Sequence, residues 1–497
     1  MLIPEPRNYV SDKIANRQFP GGFAAHLIKI KGGCGTLAYL SVTCLERKME
    51  DALVLKYTAP VPRYTSYPTA PHFSEAIGNA EYEGWLGAIG EGETLSLYAH
   101  IPYCDRLCWF CACHTKQTLR YDPVTAYLAG LHREIEAIGQ QVTGGARVTA
   151  LHLGGGSPTL VRPDDLIALK SQFSQHFTFA EDCEISVEMD PNDLDEARHD
   201  ALAAIGMSRA SFGIQDFDPV VQKAINRIQT YEQTRDAIEA SRARGVRSVN
   251  CDVLYGLPHQ TMATLERTIE AVLSLGPDRV ALFGYAHVPW MKKHQQMIPE
   301  ESLPGVVARY AQMARAAEML VACGYEAIGI DHFARPSDTL AVASREGRLR
   351  RNFQGYTDDT AETLIGLGAS AIGQFREGHV QNMPATGEYL RRAEQGGLAA
   401  VRGYALTPED RLRARVISLV MCEFGFSFER IEAEFPLIAA SVIEEARLFR
   451  ARDAEGLSTI ESGVFKLTAR GRPFARSVAA AFDAHLSNGR GRHSVAV

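Results

Sequence analysis

The chain is 497 residues long, 46% apolar and 22% charged, with a formal net charge of −7. This is the composition of a globular protein larger than the usual single domain. Its net acidity offers no general attraction for nucleic acid, and no apolar run reaches the ~18 residues of a membrane-spanning helix. Ten cysteines are unevenly placed, four of them within ten residues. That is a metal-site pattern, and it suits a reducing, cytoplasmic setting better than a disulfide framework does.

Residues 1–48 differ in character from the rest of the chain: they have little periodicity and carry the isolated thiols Cys34 and Cys44. Leu37–Val42 is weakly apolar but too short and too late for a secretory leader. Residues 49–94 are read as an N-terminal strap. Four prolines between Pro60 and Pro71 exclude regular helix there. A surface linker is the plain reading of such a segment, yet Arg63, Tyr64, Thr65, Ser66 and Tyr67 equip it to hydrogen-bond.

The stretch Tyr98–Cys113 organises the chain. It holds Cys104, Cys108, Cys111 and Cys113 among the aromatics Tyr103, Trp109 and Phe110. Thiolates this dense repel one another unless a metal shares their charge. Structural zinc usually draws two short cysteine pairs from two places in the chain, whereas here the cysteines form one block. The alternatives are zinc and ordinary buried thiols; the favoured reading is a four-iron, four-sulfide (4Fe-4S) cluster held by Cys104, Cys108 and Cys111, with one iron left open.

From 95 to 330 apolar runs alternate with helical patterns. The runs fall at 95–101, 148–153, 184–189, 208–214, 247–254, 279–285 and 325–330, and helices are expected at 123–140, 193–205, 261–274 and 305–323. Alternation of this kind predicts a parallel sheet. Distinctive residues recur where each run ends: the cysteine loop, Gly154–Pro158, Glu188 with Asp190, Gln215 with Asp216, Asp252 before Tyr255, and Tyr285 to His287. The glycines Gly154, Gly155 and Gly156 are expected to let backbone approach a ligand closely. In β/α barrels the active site lies at the C-terminal ends of the strands. The barrel is placed at 95–380.

Gly366 and Gly368 do not open a βαβ unit with an acidic partner downstream, so a nicotinamide site is rejected, and the glycine run 366–373 is read as a close-packed turn. Residues 381–497 are read as a helical C-terminal domain. Apolar Leu412, Val416, Ile417, Val420, Ile431, Leu437 and Ile438 recur at helical spacing, a hairpin is expected at 456–467 and a helix at 471–486. No basic stripe marks it as a DNA-binding winged helix.

The C-x3-C-x2-C spacing after an apolar strand resembles the signature of the radical S-adenosylmethionine (SAM) superfamily. Cys113, in C-x2-C-x-C, and the Pro-Arg-Tyr-Thr-Ser-Tyr-Pro strap narrow the likeness to the oxygen-independent coproporphyrinogen III oxidase family. The likeness runs from about Tyr57 to the C-terminal region. The run from Met49 to Tyr57 is similar to the beginning of family members, so Met49 is read as the start and residues 1–48 as an upstream extension.

The resemblance implies an incomplete, six-stranded TIM-like radical SAM barrel with an N-terminal strap and a mainly helical C-terminal domain. It implies that one SAM is touched by Tyr98, Gly155, Glu188 and Ile372, and a second by Phe110, Gly156, Ser157, Gln215, Arg227, Asp252 and Ala286. Cys113 is implied to matter for activity without being a ligand. The implied substrate is coproporphyrinogen III, two of whose propionates become vinyl groups, giving protoporphyrinogen IX. The implied partners are a one-electron donor such as flavodoxin or ferredoxin, and the protein is expected to be a monomer. Arg63, Arg106, Arg209 and Arg227 are candidate partners for the propionates. A haem-binding chaperone of the same superfamily is the alternative; such relatives lack the fourth cysteine and the strap.

Overall fold

The computed structural model describes residues 50–486; the expectation of an upstream extension at 1–48 lies outside the described residues. A twelve-stranded sheet forms the frame. In chain order its strands are β1 (Thr94–Ile101), β2 (Arg147–Gly155), β3 (Thr178–Met189), β4 (Arg209–Gln215), β5 (Ser248–Tyr255), β6 (Arg279–Gly284), β7 (Glu326–Ile328), β8 (His332–Ala334), β9 (Thr363–Leu367), β10 (Ile372–Gln374), β11 (Gly378–Asn382) and β12 (Ala400–Ala405). Their spatial order is β12-β11-β10-β9-β1-β2-β3-β4-β5-β6-β8-β7. Strands β1 to β6 are parallel neighbours, as the alternation predicts.

The strands form because alternate residues have somewhere apolar to go. Leu95, Leu97, Ala99 and Ile101 of β1 are buried. The helix Asp122–Gln141 covers this region with Val124, Tyr127, Leu128, Leu131, Ile135 and Ile138, spaced to give one apolar face. Helix starts are fixed by local acceptors: Asp195 accepts from Arg198 N, and Thr261 from Thr264 N.

Three expectations need correction. First, β9 adds a seventh parallel strand beside β1, where the glycine pattern suggests only a close-packed turn; the turn begins after Leu367. Second, 325–330 is not the next parallel strand: β7 pairs antiparallel with β8 at the far edge. The sheet also runs on to Ala405, past residue 380. Third, the 471–486 helix breaks into Arg472–Phe474, Ala475–Ala479 and Ala480–Phe482. Past the last piece the strap takes over the contacts: Ala484 N donates to Tyr67 Oη at 3.1 Å and the Asp483 carboxylate accepts from Tyr64 Oη at 2.9 Å.

The C-terminal region packs the helices Pro408–Glu423, Phe428–Glu434 and Ala439–Arg452 against a three-stranded sheet that includes the expected hairpin. Leu412, Val416, Ile417, Val420 and Ile431 are buried there, whereas Leu437 is exposed, outside the apolar face its spacing implied. Tyr64 and Tyr67 of the strap join this apolar cluster. Among the described residues no helix is long and apolar enough to cross a membrane.

Candidate functional site

The cysteine loop leaves β1 at Ile101 and is held by its backbone. Tyr103–Cys104 pairs in parallel with Lys116–Gln117. Trp109 N donates to Ile225 O at 2.9 Å, and Asn226 Nδ2 to Leu107 O at 2.9 Å. After β6, three side chains reach back: Lys292 Nζ to Cys113 O at 2.8 Å, His294 Nε2 to Cys111 O at 2.7 Å and Gln295 Nε2 to Phe110 O at 2.9 Å. With the main chain satisfied, the sulfurs are left to face a cavity.

That cavity is about 220 Å³ and is lined by Cys104, Cys108, Cys111 and Cys113. Four thiols from one loop lining one cavity are a donor set that fits an iron–sulfur cluster, which is held by cysteine thiolates. Burial pushes the Cys104 thiol up, and the neighbouring thiols Cys111 and Cys108 push it further. Burial also raises Cys108, against the pull of Arg227, whose Nη1 lies 3.6 Å from the Cys108 sulfur. Cys111 is drawn down to about 7, chiefly because Cys113 donates to it. A metal that takes these sulfurs must displace their protons, and Arg227 lowers the cost of the resulting negative charge.

Arg227 is itself fixed by Asp190 at 3.1 Å and by Gly213 O at 2.6 Å, and its buried Nε makes no hydrogen bond among the described residues. Glu188, at the end of β3, accepts from Gly155 N at 2.8 Å and lies 3.3 Å from His152 Nε2. Burial pushes its carboxyl up, but His152 and the Gly155 N–H hold it below the usual range. Asp252 is raised to about 6, first by burial and then by the charge of Glu188. It accepts from Ser211 Oγ at 3.0 Å and Asn250 Nδ2 at 2.8 Å. Gln215 enters the cavity from a left-handed residue with φ of 69°, at an irregularity in the β4–β5 register.

The glycines are required by the protein's own packing. A Cβ on Gly155 would lie 2.5 Å from the His100 ring, and one on Gly156 2.5 Å from Tyr103 O. Both residues must be bare for β2 to pass the end of β1, quite apart from any ligand.

Of the residues expected to touch SAM, the structure gathers Phe110, Gly155, Gly156, Ser157, Glu188, Gln215, Arg227 and Asp252 around the cysteine cavity. Ser157 Oγ is already engaged, donating to Asp193 at 2.5 Å. Tyr98, Ile372 and Ala286 do not line it. Tyr98 stands behind, bonded to His100 Nδ1 at 2.9 Å and stacked on His152. Ile372 packs its backbone against Gly366, the register partner of Tyr98. Ala286 lines a neighbouring cavity. Asp216 is structural: it is fully buried and accepts from Gln260 Nε2 and Thr268 Oγ1.

Sequence reasoning missed His152, Ser186, Ser211 and Asn250, which line the barrel interior with Glu188 and Asp252. The signal was present, since Ser186 and Glu188, and likewise Asn250 and Asp252, stand two apart on one face of a strand. Among the candidate cations, Arg209 is misplaced: it begins β4, at the opposite end of the barrel, paired with Glu184 at 2.5 Å. Arg106 is held by Asp105 at 3.2 Å, and Arg227 by Asp190. Among the described residues, Arg63 donates a long bond to Gly284 O, 3.3 Å.

Comparison with known proteins agrees with this geometry. A family described as "Radical SAM superfamily" matches residues 98–272, and "HemN C-terminal domain" matches residues 406–474. An oxygen-independent coproporphyrinogen III oxidase of Paracoccus denitrificans is 47% identical over 441 residues, covering 89% of this chain and 97% of that protein. One from Pseudomonas aeruginosa is 40% identical, covering 87% and 95%. The solved structure of coproporphyrinogen III oxidase from Escherichia coli, described as a radical SAM enzyme, superposes with a TM-score of 0.82 at 37% identity, over 85% of this chain and 98% of that one.

Proposed function

The chain belongs to the oxygen-independent coproporphyrinogen III oxidase family of radical SAM enzymes, and on that premise we propose that it converts two propionates of coproporphyrinogen III to vinyl groups, giving protoporphyrinogen IX, in anaerobic haem biosynthesis. The observation that carries this reading is the cavity at the strand ends, where Cys104, Cys108, Cys111 and Cys113 face Glu188 and Asp252. Cys104, Cys108 and Cys111 would hold a 4Fe-4S cluster, and Cys113 would serve turnover. Such a cluster would supply the electron that reductive cleavage of SAM requires, and with it the radical chemistry that takes hydrogen from a propionate β-carbon. The carboxyl then leaves as carbon dioxide, one electron passes to an acceptor, and the vinyl group remains.

The protein's own work is to bind, orient and exclude water. Glu188, ionised and aimed into the cavity, is suited to the ammonium of SAM. Arg227 offsets thiolate charge beside Cys108. Gln215, Asp252, Phe110 and Gly156 would meet a second SAM, with Ser157 and Ala286 at its edges, while Tyr98 and Ile372 back the first. Residues 49–94 would act as a strap, 95–380 as the barrel, with its sheet continued by β11 and β12 to Ala405, and the helices that follow as its cap. A cytoplasmic monomer served by a flavodoxin or ferredoxin completes the proposal. Cys113 and the strap favour this reading over the haem chaperone.

The test is anaerobic: reconstituted, reduced protein with SAM and coproporphyrinogen III, followed for 5′-deoxyadenosine and porphyrin together. Both should appear. Deoxyadenosine without decarboxylation would leave the radical chemistry and reject the substrate, whereas tight haem binding with neither product would favour the chaperone.

A further inference from the structure

A second cavity, about 40 Å³, opens at the same end of the barrel, between the strap, the ends of β5 and β6 and the C-terminal region. That is room for a small polar group, since a cavity of about 10–15 Å³ holds one water. Among the described residues, four arginines line it, Arg63, Arg309, Arg351 and Arg476, against one carboxylate, Asp331.

Arg63, Arg309 and Arg351 hydrogen-bond to backbone carbonyls, which orient a guanidinium without neutralising it. Arg309 donates to Tyr285 O at 2.8 Å, Arg351 to Arg63 O at 3.2 Å, Arg476 to Val61 O at 2.8 Å and Arg63 to Gly284 O. Asp331 is shared with His332, at 2.7 Å. Among the described residues, the buried Nε of Arg309 and the buried Nε and Nη1 of Arg351 have no hydrogen-bond acceptor, and the Arg351 guanidinium lies over the Tyr356 ring at 4.5 Å. Arg476 is pushed down to about 10 by burial and then by the charges of Arg63 and Arg351. Guanidinium groups crowded in this way are costly unless an anion joins them.

We propose that this cavity receives a carboxylate, and that the carboxylate is a propionate of the porphyrinogen, held by Arg309 and Arg351 with Arg63 at the mouth. The assignment rests on the decarboxylation of coproporphyrinogen III being the reaction. Planar guanidinium forks match a carboxylate through paired N–H donors. Position supports it: Ala286 lines the cavity, and Gln295 Nε2 bonds both Ala286 O at 3.1 Å and Phe110 O of the cysteine loop at 2.9 Å. One propionate anchored here leaves another free to enter the cysteine cavity. The other sequence candidates, Arg106, Arg209 and Arg227, already face carboxylates.

The experiment is a fluorescence titration of the full, cluster-loaded protein with coproporphyrin III, the stable oxidised tetracarboxylate, comparing wild type with Arg309→Gln, Arg351→Gln and Arg351→Lys. Each Gln variant should weaken binding by about tenfold or more, as loss of a charged hydrogen bond does, and Arg351→Lys should recover part of it. SAM affinity and substrate-free 5′-deoxyadenosine formation should stay at the wild-type level. Should Arg309→Gln or Arg351→Gln fail to fold, Arg63→Gln on the accessible strap carries the same prediction. Wild-type turnover combined with unchanged porphyrin affinity in the variants would overturn the carboxylate site and leave the reaction standing. A fall in SAM affinity would instead assign the cavity to the SAM carboxylate and overturn the proposal. Absence of porphyrin binding in wild type would count against the reaction itself.

Discussion

Two cavities at one end of the same barrel carry opposite charge. The first is lined by thiols with Glu188, Asp190 and Asp252, and its two cations, Arg106 and Arg227, are paired with Asp105 and Asp190. The second gathers four arginines around Asp331. A net charge of −7 conceals both, because a local field depends on which side chains converge and not on their sum. The acidic cavity suits a cationic group such as a sulfonium or ammonium, and the basic one suits an anion. Strand-end geometry explains how they coexist: Glu188 and Asp252 come from β3 and β5, whereas Arg63 is brought in by the strap, Arg309 by the helix Val306–Ala322, Arg351 by the short strand Arg350–Asn352 and Arg476 by the C-terminal region.

The largest expected effect breaks the first cavity. Cys104→Ala, Cys108→Ala or Cys111→Ala should each abolish the cluster's visible absorbance and 5′-deoxyadenosine formation; full SAM cleavage in any one of them would remove that cysteine from the ligand set. Cys113→Ser separates holding from turnover. It should retain iron and sulfide and lose decarboxylation, while loss of iron would make Cys113 a ligand.

A smaller effect sharpens the contrast. Glu188→Gln removes a charged acceptor and should weaken SAM binding by about tenfold to a hundredfold, the loss of one charge-assisted hydrogen bond, measured by equilibrium dialysis with porphyrin affinity unchanged. The smallest is a pH effect. Asp252 is raised to about 6, so its charge is present above that pH and lost as pH falls through it. SAM affinity should drop a few-fold, roughly, between pH 7 and 5 in wild type, and Asp252→Asn should flatten that dependence at the weaker level.

What is legible in the sequence divides along the same line. Strands β1 to β6 are local: each announces itself by its own apolar run, and the residues at its end come in the next few positions, so Cys104, Glu188 and Asp252 are legible. Strand β9 is not, because Thr363–Leu367 finds its partner β1 far away in sequence, and nothing in its glycines distinguishes a strand end from a turn. The interior polar face is legible only through spacing, since Ser186 and Asn250 look ordinary until their two-residue separation from Glu188 and Asp252 is noticed. The arginine cavity has no motif to find. Arg63, Arg309, Arg351 and Arg476 are single residues in unrelated segments, and only packing makes them neighbours.

The most direct test of the central claim, that hydrogen is taken from a propionate held between these cavities, is an isotope experiment. Coproporphyrinogen III deuterated at the propionate β-carbons is given to the reduced protein with SAM, and the 5′-deoxyadenosine is analysed by mass spectrometry. Transfer of deuterium into 5′-deoxyadenosine, in step with formation of the vinyl product, is the predicted result. Vinyl product accompanied by unlabelled 5′-deoxyadenosine would contradict it.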